Sequence, residues 1–285
     1  MPQKPCLTQY VKNTTKLQRF LDSHYEDCNT LENLSTPDPI VVVRRYTQHP
    51  YFAEIALLCA LLSYGSAKQI VTFLHTLDFG LLEHTGAQTH KMPYYRFQNA
   101  QDIQALFAIL RECIRRGGIR EIFARGAESG YTPYRILNAI YHSIETLREI
   151  ALNLGVSSRG VDFAIGAELP KDISFGKYED SQTPTSLFNP KGKSPLKRWN
   201  LFARWLVRDD ALDFGIWQDI ITPSELIIPL DTHTFAIGQK LGLLKRKTYD
   251  LAAALELTQS LQKYCPDDPV RYDFALYRIG QSRAI

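Results

Sequence analysis

The chain has 285 residues and a formal net charge of +3, with 45% hydrophobic and 22% charged residues. That balance suits a soluble globular protein of one large or two smaller domains, and argues against disordered and fibrous classes. A charge so near zero does not announce a nucleic-acid binder, so any such argument must come from where the charges cluster.

Five scattered cysteines (Cys6, Cys28, Cys59, Cys113, Cys265) include no CxxC pair. A zinc ribbon, a disulfide framework and an iron–sulfur cluster are therefore not expected. The start, MPQKPCLTQY, lacks the apolar core of a signal peptide, and the longest apolar run, IALLCALL, is too short to span a bilayer. The expected compartment is a reducing cytoplasm.

Helical spacing dominates the elements in chain order. IVVVRRY, after Asp38-Pro39, is the one segment that fits a strand, and it fits a helix start equally well. YFAEIALLCALLSYGSAKQIVTFLHTL places Ile55, Leu58, Cys59, Leu62, Ile70 and Phe73 near a 3.6-residue period, with Gly65 punctuating it. NAQDIQALFAILRECIRRGG predicts a helix stopped at Gly117-Gly118, and TPYRILNAIYHSIETLREIALNLG one framed by Pro133 and Gly155. From Gly166 to Lys193 the pattern dissolves into a long irregular connection. Helices follow from Ser194, from Asp231 and from Asp268, with a turn at ITPSELIIPL. The expected fold class is all-α.

NPKGKSPLKRWNLFARWLVRDD carries six cationic side chains and no anionic one between Lys191 and Arg208. Its GKS ends like a Walker A loop, but the first glycine of that motif would fall on Leu187, and Pro195 removes a backbone donor. The P-loop reading fails. Ser194 then reads as an N-cap and Pro195 as the first helical residue, with Leu196, Trp199, Phe202 and Leu206 along one face. Lys197 lies in the first turn, where the helix dipole disfavours a cation. A free amine there is what Schiff-base chemistry needs, whereas a solvated or phosphate-touching lysine is the plainer reading. Arg204 and Arg208, further along, are expected to reach solvent. Asp231, after Pro229 and an apolar run, reads as the N-cap of a helix ending near Gly242. His233 suits a helix start or a DNA-facing position. The seven histidines are dispersed and His142 with Glu145 makes a lone H-x-x-E, so no metal site is expected.

IPLDTHTFAIGQKLGL resembles the V-D-T-H…R-x-x-x-x-L stretch of the helix–hairpin–helix (HhH-GPD) DNA glycosylases, the endonuclease III and 8-oxoguanine glycosylase superfamily. FAEIALLCALLSYGSAKQI is similar to their L-L-x-A-x-L-S-x-Q helix, and DDPVRYDFALYRIGQ to the helix that ends in Gly-Arg. The likeness runs from about Tyr51 to Gln281 and is densest over Lys197–Gly242 and the last helix. Two features depart from it: the L-P-G-V-G hairpin is replaced by NPKGKSPLKR, and the iron–sulfur loop is missing. The archaeal GO glycosylases also have a divergent hairpin, and the interval from Lys197 to Asp231 is close to theirs. The chain is also similar to a bacterial family of unassigned function.

The glycosylase resemblance implies two helical domains with a cleft between them: a barrel over 51–222, and a second domain from 1–50 plus 223–285. It implies a base-excision glycosylase with AP lyase activity on double-stranded DNA holding a damaged base, with 8-oxoguanine the expected lesion. Lys197 is carried over as nucleophile, with Lys193 its rival, and Asp231 as the catalytic carboxylate. Lys191, Gly192, Lys193, Arg198 and His233 become DNA-binding residues, Gly192 by letting a phosphate approach main-chain N–H groups. Asp273, Phe274 and Tyr277 become the base pocket, although Asp273 reads equally as a surface charge and Tyr277 as a core aromatic. No cofactor is implied, and a monomer at the bacterial nucleoid is expected. A monofunctional glycosylase for another damaged or mispaired base, or a non-catalytic helical DNA-binding protein, stays open as an alternative.

Overall fold

The computed structural model describes residues 13–32, 37–83, 92–166 and 189–281. Among them are twelve α-helices and no strand. They are α1 (Thr14–Cys28), α2 (Ile40–Val43), α3 (Phe52–Leu61), α4 (Ala67–Leu74), α5 (Ala100–Arg115), α6 (Gly118–Ala127), α7 (Arg135–Asn153), α8 (Arg159–Ile165), α9 (Lys197–Val207), α10 (Thr232–Lys240), α11 (Leu251–Gln262) and α12 (Asp273–Gln281). The protein is all-α. No helix among the described residues is long and apolar enough to cross a membrane.

Contacts divide the chain into two units, Pro37–Phe188 and the pair Met1–Thr36 with Asn189–Ile285. The stretch from 189 to 222 clusters with the terminal segments, whereas the glycosylase resemblance implies it within the domain over 51–222. Burial explains its membership: Trp199, Phe202, Trp205 and Trp217 are all in the core.

In the central unit, IVVVRRY forms α2 and a 3₁₀ turn rather than a strand. The apolar stretch after Tyr51 is two helices, because Gly65 takes φ +112° and Ser66 caps α4 through the Gln69 N–H. Asn99 and Asp102 make a capping box at the start of α5. The two glycines after α5 end one helix and begin the next. Gly117 is left-handed at φ +110°, and α6 starts at Gly118 with the Ile119 N–H donating to the buried Glu54 carboxylate at 2.9 Å. Burial pushes that carboxyl up from its ordinary range, against the Ile119 hydrogen bond. Helices α6 and α7 pack so closely that a Cβ on Gly126 would lie 2.7 Å from the His142 Cβ.

In the discontinuous unit, α1 and α10 both pack on α12. Leu17 and Leu21 of α1, Ile237 of α10 and Leu276 of α12 are buried. Gly280 is the contact point between α10 and α12, since a Cβ there would lie 2.7 Å from that of His233. The residues of the long irregular connection from 167 to 188 lie outside those described.

Candidate functional site

The helix carrying Lys197 starts later than its sequence suggests. Ser194 is not its N-cap: the Ser194 hydroxyl accepts from the Leu196 N–H at 3.3 Å, and α9 begins at Lys197 after a left-handed Leu196 (φ +52°, ψ +34°). No side chain caps this end. The buried Leu196 holds the unusual backbone in place, because its apolar side chain offsets a left-handed cost of about 1–2 kcal/mol. Lys197 is thus the first helical residue, half-buried, and no hydrogen bond or ion pair to another described residue holds its amine.

Asp231 is the N-cap of α10, as its sequence setting suggests. Its backbone is extended, and its Oδ1 accepts from the Thr234 N–H at 2.8 Å. Just before it, the Leu230 carbonyl accepts from the Tyr249 hydroxyl at 2.7 Å. Burial, and then the Asp231 charge, push that phenol up from its ordinary range.

Asp273 opens α12 and is not a surface charge. It is 5% exposed, and its Oδ2 accepts from Arg204 Nη1 at 2.6 Å. Burial pushes its carboxyl up to about 6; Arg204 and Lys197 oppose that rise and Asp231 adds to it. Asp273 is thus within electrostatic reach of both Lys197 and Asp231, and the three residues stand at the N-terminal ends of α9, α10 and α12.

Arg204 and Arg208 do not reach solvent. Both are 4% exposed, in a chain of ion pairs. Arg204 joins Asp273 to Asp213, and Arg208 joins Asp213 (2.5 Å) to Asp268 (2.9 Å) and Asp210 (2.8 Å). Burial works against the Arg208 charge, but these carboxylates outweigh it and hold the guanidinium protonated well above its ordinary value.

The remaining candidates separate. His233 is exposed and packs edge-on against Tyr277, with ring centroids 5.8 Å apart. The Tyr277 hydroxyl accepts from Gln281 at 2.9 Å. Phe274 is buried under the Arg278 guanidinium at 4.6 Å and lines a small cavity with Tyr25, Asn29 and Leu212. Arg198 is half-buried on the first turn of α9.

The basic loop also differs from expectation. Gly192 is left-handed (φ +73°), but its N–H donates to Asp250 Oδ2 at 2.8 Å and is not presented to a phosphate. Asp250 caps α11 through Ala253 and pairs with Arg246 at 2.5 Å, and the Lys193 carbonyl accepts from the Leu251 N–H. The main chain of this loop is therefore fastened to α11. Lys191 is exposed and Lys193 half-buried.

A second surface, in the central unit, is built around the turn Tyr94–Gln98. Tyr95 and Gln98 exchange backbone hydrogen bonds (2.9 and 2.8 Å) around a two-residue tip, where Arg96 is left-handed at φ +52°. Its guanidinium occupies the space a side chain at Gly65 would take and lies 6.0 Å from the Tyr64 ring centroid and 5.8 Å from that of Phe97. Those rings are nearly parallel, 15° apart, while Tyr94 and Phe97 are 70% and 62% exposed. An arginine with open ring faces suits stacking against flat partners. Only the unusual PYYRF run hints at it in the sequence.

The profile of the family described as Protein of unknown function (DUF2400) matches residues 38–282, most of the chain. The chain belongs to that family. No curated protein and no solved structure matches it. The matched span takes in both Lys197 and Asp231 and all of the last helix.

Proposed function

We propose that this DUF2400 protein is a base-excision DNA glycosylase with AP lyase activity, on the fold of the helix–hairpin–helix glycosylases, acting on an oxidised purine such as 8-oxoguanine in double-stranded DNA. What supports the reading is that Lys197 and Asp231 each stand at a helix N-terminus and each act electrostatically on the buried Asp273. Extruding the damaged nucleotide costs a few kcal/mol, least for a base that stacks or pairs poorly. Breaking its bond to C1′ builds oxocarbenium character, which the Asp231 carboxylate stabilises. The neutral Lys197 amine then bonds to C1′ as the base departs with the bonding pair and gains a proton. Loss of the remaining amine proton and opening of the sugar give a Schiff base, from which β-elimination cleaves the 3′ phosphate. The side chains of Lys191, Lys193, Arg198 and His233 are assigned to the DNA backbone.

Borohydride trapping on duplexes with a single 8-oxoguanine tests the reading. A covalent protein–DNA adduct is expected, lost in Lys197→Ala and kept in Lys193→Ala. The reverse pattern moves the nucleophile to Lys193, and base release without strand cleavage excludes the Schiff-base route.

A further inference from the structure

Leaving an aromatic ring in water is costly, and the turn Tyr94–Gln98 keeps two of them there, Tyr94 and Phe97. Hydrogen bonds and packing fix the turn. Tyr95 is buried, stacks on Phe73 with ring centroids 4.1 Å apart, and donates its hydroxyl to the Tyr64 carbonyl at 2.7 Å. The Tyr64 hydroxyl donates in return to the Tyr95 carbonyl at 3.4 Å, and Gln98 Nε2 donates to the Gly160 carbonyl of α8 at 2.9 Å. On this base Phe97 lies nearly parallel to Tyr64 and edge-on to Phe163 of α8, with centroids 5.8 and 5.1 Å apart. That spacing leaves no room for a third ring between Tyr64 and Phe97, so a flat partner adds to the exposed side of Phe97. Arg96 completes the tip: its left-handed backbone is strained for a side chain with a Cβ, and its guanidinium lies by both rings. A ring held by two others is preorganised for stacking and loses little freedom when a partner arrives.

Charge selects among flat partners. On the segments that carry these rings (residues 64–73, 92–98 and 159–165) the exposed charged side chains are Lys68, Arg96 and Arg159. The acidic side chain there, Asp162, accepts from the Ser157 hydroxyl at 3.4 Å. Open ring faces among cations match a chain of flat bases joined by phosphates, whereas an aromatic or proline-rich peptide brings no regular negative charge. We propose that Tyr64, Arg96 and Phe97 form a stacking platform for the unpaired bases of a single-stranded nucleic acid, with Lys68, Arg96 and Arg159 supplying charge for its phosphates. This needs no lesion, no duplex and no covalent step, so it stands apart from the glycosylase reading.

The test measures, by fluorescence anisotropy with the full chain at one salt concentration, binding to two labelled strands of equal length. One is oligothymidylate; the other has the same phosphates on tetrahydrofuran sugars without bases. Wild type is expected to bind the first about tenfold tighter, the contribution of a stacked base. Phe97→Ala, at an exposed position where folding is not at stake, is expected to lose that preference while binding the baseless strand as wild type does. Phe97→Trp, which offers a larger face, is expected to keep or increase it. Arg96→Gly suits the left-handed backbone, so it folds, and is expected to weaken binding to both strands. Equal affinity of wild type for the two strands overturns the proposal and leaves the tip to a protein partner. A Phe97→Ala protein that keeps the preference, or an Arg96→Gly protein that binds as wild type, overturns it as well. Neither strand holds a lesion or an aldehyde sugar, so these affinities are decided independently of whether Lys197 traps on 8-oxoguanine.

Discussion

Gly192 and Asp250 show how differently two residues of one contact depend on their neighbours. Nothing lies within 4 Å of where a Cβ on Gly192 would sit, so Gly192→Ala meets no clash and faces only the left-handed backbone. Its expected cost is about 1 kcal/mol. Asp250 is 2% exposed and serves the Gly192 N–H, the α11 cap and the Arg246 guanidinium together. Asp250→Ala should cost more, about 2–4 kcal/mol read from urea midpoints, since it leaves the Gly192 N–H without its acceptor and removes the α11 cap. Asp273 adds a pH dependence of known sign. Its folded carboxyl lies at about 6, against an ordinary 3.8, so between these values the folded state binds the extra proton. The stabilisation it brings is complete below pH about 4 and is lost as pH rises through about 6. The stability of Asp273→Asn relative to wild type should therefore improve, by a few kcal/mol at most, as pH climbs through that window. A difference that stays flat from pH 4 to 7 contradicts the burial argument.

Among the elements, small residues at helix crossings decide the spacing. Replacing Gly126 by Ala gains about 1 kcal/mol in helix propensity, yet the new methyl would meet the His142 Cβ at 2.7 Å and the Ala139 Cα at 2.8 Å. Backbone cannot swing aside as a side-chain tip can, so overpacking wins and a net loss of about 1–3 kcal/mol is expected from thermal melts. Gly280→Ala faces the same conflict against His233, and it also pushes α10 from α12, which between them carry Asp231 and Asp273. That variant is expected to lose adduct formation as well as stability. What the sequence reveals at this scale follows from how local each cause is. The Asp231 cap was legible because an Asp ahead of a helical pattern serves an N–H three residues on. The helices α3, α5 and α7 are legible from apolar spacing, whereas α1 (TTKLQRFLDSHYEDC) is too polar to show a clear apolar pattern. Arg204 looked solvated because its partner Asp273 is 69 residues away in the chain, and Gly192 looked open because its partner Asp250 is 58 away. Leu196 was unreadable for another reason: a left-handed leucine is held by burial, which no local pattern encodes.

For the whole molecule, a net charge of +3 leaves little long-range attraction to DNA, so on the proposed glycosylase reading affinity would come from a few local contacts of two physical kinds. The exposed Lys191 side chain is ionic, and the Arg96–Phe97 tip, with its open ring faces, is chiefly aromatic. Counterion release makes the first kind steeply dependent on salt, whereas stacking depends on it weakly. The two variants should then part company when affinity for a labelled oligonucleotide is measured by anisotropy across a salt series. Lys191→Ala is expected to flatten the slope of log K against log[salt] by about 0.9, and its affinity should converge on that of wild type as salt increases. Phe97→Ala is expected to weaken binding by about 1–3 kcal/mol at every salt concentration, with the slope unchanged, and more for single-stranded than for duplex oligonucleotides because only unpaired bases offer a free face. Equal slopes for wild type and Lys191→Ala would remove the basic loop from the DNA-binding surface. A Phe97→Ala protein that binds single strands as well as wild type would reduce the aromatic tip to an exposed turn.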